Sequence, residues 1–72
     1  MEKRYNARIY AQGAIVTMEE AGSMEPDYYE TKREAVEAVR RAIAASRHAI
    51  GGEVIKLISG TGHYRTVARI SA

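Results

Sequence analysis

A chain of 72 residues lies near the lower size limit for folding on one hydrophobic core, so residues 1–72 are read as a single domain. The absence of cysteine excludes disulfides and thiolate metal sites, and His48 and His63 lack the spacing of a zinc pair on a helix. With 46% hydrophobic residues, 28% charged residues and a net charge of only +2, the composition excludes a disordered chain, and no apolar run approaches the roughly 20 residues that span a bilayer.

Stability must therefore come from regular packing or from a homodimer. The charge cluster at Met1–Asn6 has no apolar run behind it, so no signal peptide is expected. A soluble, cytoplasmic protein is expected, and the lack of cysteine suits a reducing compartment. There is no Phe or Trp, so aromatic packing falls to Tyr5, Tyr10, Tyr28, Tyr29 and Tyr64. Each of these carries a hydroxyl that needs a partner when buried.

Residues Arg4 to Ala11 alternate, with Tyr5, Ala7 and Ile9 on one side and Arg4, Asn6, Arg8 and Tyr10 on the other. A period of two predicts a half-buried strand. Gln12-Gly13 predicts a two-residue hairpin turn. Pairing Ala11 with Ala14 then sets Ile9 opposite Val16 and Ala7 opposite Met18, with Arg8 opposite Thr17 and Asn6 opposite Glu19 on the other face. Ala21 to Tyr29, with Gly22, Ser23 and Pro26, reads as a loop.

Thr31-Lys32-Arg33-Glu34 is a capping box and predicts a helix start. Ala35, Val36, Val39, Ala42, Ile43, Ser46 and Ile50 fall on one arc, and Glu34, Glu37, Arg41 and His48 on the opposite one. Val36, Val39 and Ile43 are expected to face the sheet. Gly51-Gly52 predicts the helix end.

Glu53–Ser59 and Tyr64–Ile70 read as a second hairpin across Gly60-Thr61-Gly62-His63, with two loop registers open. A four-residue loop puts Ile55 and Leu57 on one face with Thr66 and Ala68. Val54, Lys56, Ile58, Arg65, Val67 and Arg69 then share the other. The order β-β-α-β-β predicts an α+β fold, a four-stranded antiparallel sheet with one helix packed on one face.

No catalytic constellation emerges. The Gly60–His63 stretch precedes a strand rather than a helix, so it reads as a turn and not a phosphate cradle. Neither histidine lies in a nucleophile motif, and no cofactor is implied. A non-enzymatic binding protein is expected.

Charge is unevenly distributed. Glu19, Glu20, Glu25, Asp27 and Glu30 occupy residues 19–30 without a basic residue. Lys3, Arg4, Arg8, Arg40, Arg41, Arg47, Lys56, Arg65 and Arg69 lie outside residues 19–37, where Glu2 and Glu53 are the only acids. Such separation steers association. Arg33, Arg40 and Arg47 recur every seven residues along one predicted helix edge. Arg8, Lys56, Arg65 and Arg69 are expected to share the sheet face away from the helix, with Tyr10 beside them, as phosphate contact and base stacking require. An antiparallel sheet with a solvated face also carries such residues without any ligand. In the acidic stretch, Met18, Met24, Tyr28 and Tyr29 interleave with the carboxylates, a composition found in interface cores.

The hairpin, then TKREAVEAVRRA, then GGEVIKLISGTGHYRTV, resembles small bacterial domains of uncharacterised function and small phage-encoded anti-CRISPR proteins. The resemblance is one of pattern and size over nearly the whole chain. It includes no diagnostic motif and carries no residue across. It implies a non-catalytic inhibitor, acting in the host cytoplasm, that docks on a CRISPR effector complex. The second reading is a small nucleic-acid-binding module using the basic sheet face. The candidate partner-binding residues are Arg8, Tyr10, Lys56, Arg65, Arg69, Glu19, Glu20, Glu25 and Asp27.

Overall fold

The computed structural model describes residues 3–58, 60 and 62–72. The chain start at Met1-Glu2, the predicted strand end at Ser59 and the turn residue Thr61 lie outside the described residues.

The first hairpin joins β1 (Tyr5–Ala11) to β2 (Ala14–Val16). Its ladder, Ile9↔Val16, Tyr10↔Ile15 and Ala11↔Ala14, is the register read from the alternation. Gln12 and Gly13 both take positive φ, 50° and 78°, which makes a turn whose twist matches the strands. Pairing stops at Val16, so Met18 does not reach a place opposite Ala7. The Thr17 amide donates to Glu20 Oε1 (3.0 Å) and the Glu20 amide to Thr17 Oγ1 (3.2 Å). This reciprocal pair closes a turn that lifts the chain off the sheet and drops Met18 into the core.

The chain returns as β3 (Tyr28–Tyr29), which pairs with Asn6 and Tyr5. β2 and β3 thus share one edge of β1. The other edge of β1 pairs with β4 (Ala49–Ile58), and β4 pairs with β5 (His63–Ser71). The sheet order is β2-β1-β4-β5, with β3 beside β1, and all pairings are antiparallel. The α+β architecture is as expected, with five strands among the described residues in place of four.

The helix α1 (Lys32–Ala45) starts where the capping box placed it. Thr31 Oγ1 accepts from the Glu34 amide (3.2 Å) and donates to Glu34 Oε1 (2.9 Å). Ala35, Ala38, Val39 and Ala42 are buried, while Val36 and Ile43 flank them only partly covered. The core lies between this small-residue stripe and Ala7, Ile9, Met18, Tyr29 and Val54.

The helix ends at Ala45, not at Gly51. Ser46 turns to extended backbone and its amide closes on the Ile43 carbonyl at 3.3 Å. Ile50 is consequently 65% exposed rather than packed, and Arg47 and His48 lie in the connection to β4, beyond any helical charge line. Gly51 and Gly52 are buried strand residues. A Cβ on Gly52 would lie 2.5 Å from Val39 Cγ1 and 2.7 Å from the Arg8 carbonyl oxygen, and one on Gly51 would lie 2.7 Å from the Ile70 carbonyl oxygen. These glycines permit close approach of helix and neighbouring backbone, a role different from helix termination.

Gly52 beneath Val39 also fixes which way β4 faces. Val54 and Lys56 follow it on the helix side, and Ile55 takes the opposite face beside Asn6. The second hairpin closes at Ile58↔His63, so His63 is a strand residue. Leu57↔Tyr64, Lys56↔Arg65 and Ile55↔Thr66 follow, and the register then shifts so that Val54 meets Ala68. Val67 is the extra residue of a bulge, which turns Ala68 and Ile70 toward the core and Arg69 away from it.

Candidate functional site

The register leaves a sheet face away from the helix that combines charge with exposed apolar area. Asn6, Arg8 and Tyr10 come from β1, Glu53, Ile55 and Leu57 from β4, and Tyr64, Thr66 and Arg69 from β5. Ile15 on β2 and Tyr28 on β3 complete it, opposite Tyr10 and Asn6. Four large side chains stand open there: Ile15 (53%), Tyr28 (52%), Leu57 (37%) and Tyr64 (53%).

A charged row crosses the centre. Arg8 on β1, Glu53 on β4 and Arg69 on β5 are direct cross-strand neighbours. Opposite charges at such positions attract, and the central carboxylate separates two cations that would otherwise repel. Glu53 is only 8% exposed, and the Tyr10 hydroxyl donates to its Oε1. That bond, then burial, raises the Tyr10 pKa above its ordinary value, with Arg69 opposing the shift. Arg8 is aimed by its neighbour, its Nε donating to Asn6 Oδ1 at 2.9 Å. Asn6, itself 8% exposed, donates through Nδ2 to the Asp27 carbonyl oxygen (3.1 Å) and so fastens the loop to this face.

Where β2 stops and β3 has not begun, the edge of β1 is notched. The notch encloses about 300 Å³ and is bordered by Arg8, Ile15, Glu20, Asp27 and Tyr28. It lies beside the exposed side chains Ile15 and Tyr28.

The nine residues singled out from the sequence fall into three groups. Arg8, Tyr10 and Arg69 meet on the open face as expected. Lys56 and Arg65 do not join them, because β4 is oriented by Gly52 and Val39. They face the helix side, where the Lys56 ammonium lies 5.5 Å from the Tyr5 ring centroid. The basic cluster of four is therefore divided between the two sides of the sheet.

The acidic group is largely engaged within the molecule. Glu20 accepts from Thr17, whose backbone and side-chain bonds lower its pKa. Asp27 Oδ1 accepts from the Met18 amide at 2.9 Å. Glu25 pairs with Arg41 through two bonds of 2.6 and 3.3 Å, which lowers the carboxyl pKa and raises that of the guanidinium. Glu19 is exposed at the turn. These carboxylates hold the loop against the helix and sheet edge.

Sequence reasoning missed Glu53 and the exposed Ile15, Tyr28, Leu57 and Tyr64 as members of one face. The available signal was Glu53 itself, an isolated acid inside a basic half of the chain.

Among the described residues, no three His, Asp or Glu side chains gather into a metal site, and no helix is long and apolar enough to cross a membrane. No protein-family model, curated protein or solved structure matches the chain.

Proposed function

We propose that the chain is a non-enzymatic binding protein that docks a protein or nucleoprotein target on its open sheet face. The observation that carries this reading is the presence of exposed Ile15, Tyr28, Leu57 and Tyr64 on the same sheet face as the Arg8–Glu53–Arg69 row. Apolar and aromatic side chains supply the area that desolvates on binding, and arginine is the charged residue most common in interface centres. The notch beside Tyr28 is large enough to receive one anchoring side chain of a target.

Duplex DNA is a poorer match for this face. A phosphate backbone rewards a continuous cationic track. Here Glu53 interrupts the two arginines, and Lys56 and Arg65 lie on the other side. A phage inhibitor of a CRISPR effector complex falls within the proposed class, on the resemblance in pattern and size alone. The test is binding of purified effector complexes by the wild type, Tyr28→Ala/Tyr64→Ala and Arg8→Glu/Arg69→Glu. Loss of binding in both variants, with folding intact, is the expected result.

A further inference from the structure

The helix side of the sheet carries a second feature that the open face does not use. Lys56 on β4 and Arg65 on β5 are direct cross-strand partners, two like charges side by side. Lys32, the first residue of α1, joins them around a cavity of about 530 Å³ that Tyr5, Ile58 and Val67 also line. Among the described residues, no carboxylate lines this cavity, and none of the three cations has a carboxylate partner.

Like charges directly opposed across a ladder destabilise a sheet. Four arginines elsewhere have an acid close by: Arg8 and Arg69 face Glu53 across the ladder, Arg33 pairs with Glu37 and Arg41 with Glu25. Three cations on one cavity without an acid among the described residues leave a local positive potential that an anion would relieve. A carboxylate brings one charge. A phosphate monoester brings about 1.5 to 2 negative charges at neutral pH and three acceptor oxygens, which suits three separate donors. The cavity size lies within the usual range for small-ligand sites, and Tyr5, Ile58 and Val67 give it a nonpolar wall beside the cations.

We infer that this cavity is a binding site for the phosphate of a nucleotide, with Lys32, Lys56 and Arg65 holding the phosphate and Tyr5, Ile58 and Val67 bordering the nucleoside. A free mononucleotide and the terminus of a single strand offer the same chemistry. The site shares only Thr66 with the open face and does not depend on the role proposed for that face.

Isothermal titration with adenosine monophosphate and with a short single-stranded oligothymidylate phosphorylated at its 5′ end tests the assignment, with acetate at equal ionic strength as the reference anion. The wild type is expected to bind one or both phosphates and not acetate. Binding of both marks a mononucleotide site; binding of the oligonucleotide alone marks a strand terminus. Lys32→Gln/Arg65→Gln, two exposed positions, is expected to melt at or above the wild-type temperature and to weaken binding by at least about tenfold. Lys56→Gln provides a second variant should the first fail to fold, with the same expected loss. Arg8→Gln/Arg69→Gln is expected to leave affinity unchanged. No phosphate binding at millimolar concentration, binding no better than acetate, or binding lost only with the Arg8 and Arg69 changes would each overturn the inference.

Discussion

Tyr10 on β1 donates its phenolic hydrogen to Glu53 on β4, 43 residues away in sequence. The bond ties the two central strands together on the open face and gives a buried carboxylate a partner. Tyr10→Phe keeps the ring but removes that donor, so a destabilisation of about 1–3 kcal/mol is expected in urea unfolding. The pH dependence has a definite sign. The Tyr10 pKa is raised in the folded state, so its stabilisation is complete below the unfolded value near 10 and is lost as pH rises through the folded value. Alkaline loss of stability should be shallower in Tyr10→Phe than in the wild type.

Gly52→Ala introduces a methyl where Val39 Cγ1 and the Arg8 carbonyl oxygen already stand within 2.7 Å. Neither α1 nor β1 can yield without disturbing the core, so a loss of about 2 kcal/mol or more is expected. Val39→Ala in the same chain should recover only part of it, since the Arg8 carbonyl remains. An unchanged melting temperature in Gly52→Ala would contradict the packing described.

The elements with local signals were legible in the sequence. Thr31 and Glu34 mark the helix start, and Gln12-Gly13 with its flanking alternation sets the first hairpin, because turn and cap chemistry act within a few residues. Gly51-Gly52 was misleading, since the same residue ends helices and permits close packing. Only the approach of Val39, a contact made in three dimensions, distinguishes the two. The bulge at Val67 has no comparable local mark, and it decides that Arg69 joins Arg8 while Arg65 does not. Glu25 and Asp27 resembled an exposed acidic surface because their partners, Arg41 and the Met18 amide, are brought to them by the fold.

Val39 is fully buried at the centre of the helix–sheet contact. Val39→Asp would place an unpaired charge there, against a total stability of roughly 5 kcal/mol for a domain of this size. Loss of cooperative thermal unfolding is expected by circular dichroism, and wild-type melting would refute the assigned face.

The Glu25–Arg41 pair sets an acid-side dependence. Because the arginine lowers the Glu25 pKa, its stabilisation is present above the unfolded carboxylate value and is lost as pH falls through the lowered folded value. Arg41→Gln should remove this component. Both groups are solvent-accessible, so added salt should shrink the wild-type difference. Melting temperature followed from neutral into acid pH, at low and high salt, checks both points.

The open face is tested most directly by one affinity comparison. Wild type, Tyr28→Ala/Tyr64→Ala and Arg8→Glu/Arg69→Glu are each titrated against purified CRISPR effector complexes and against generic duplex DNA at two salt concentrations. Docking on a protein surface predicts tight binding to a complex, lost in both variants, with little affinity for DNA. Tight duplex binding by the wild type that falls steeply with salt, is abolished by the arginine reversals and is untouched by the tyrosine changes would contradict it.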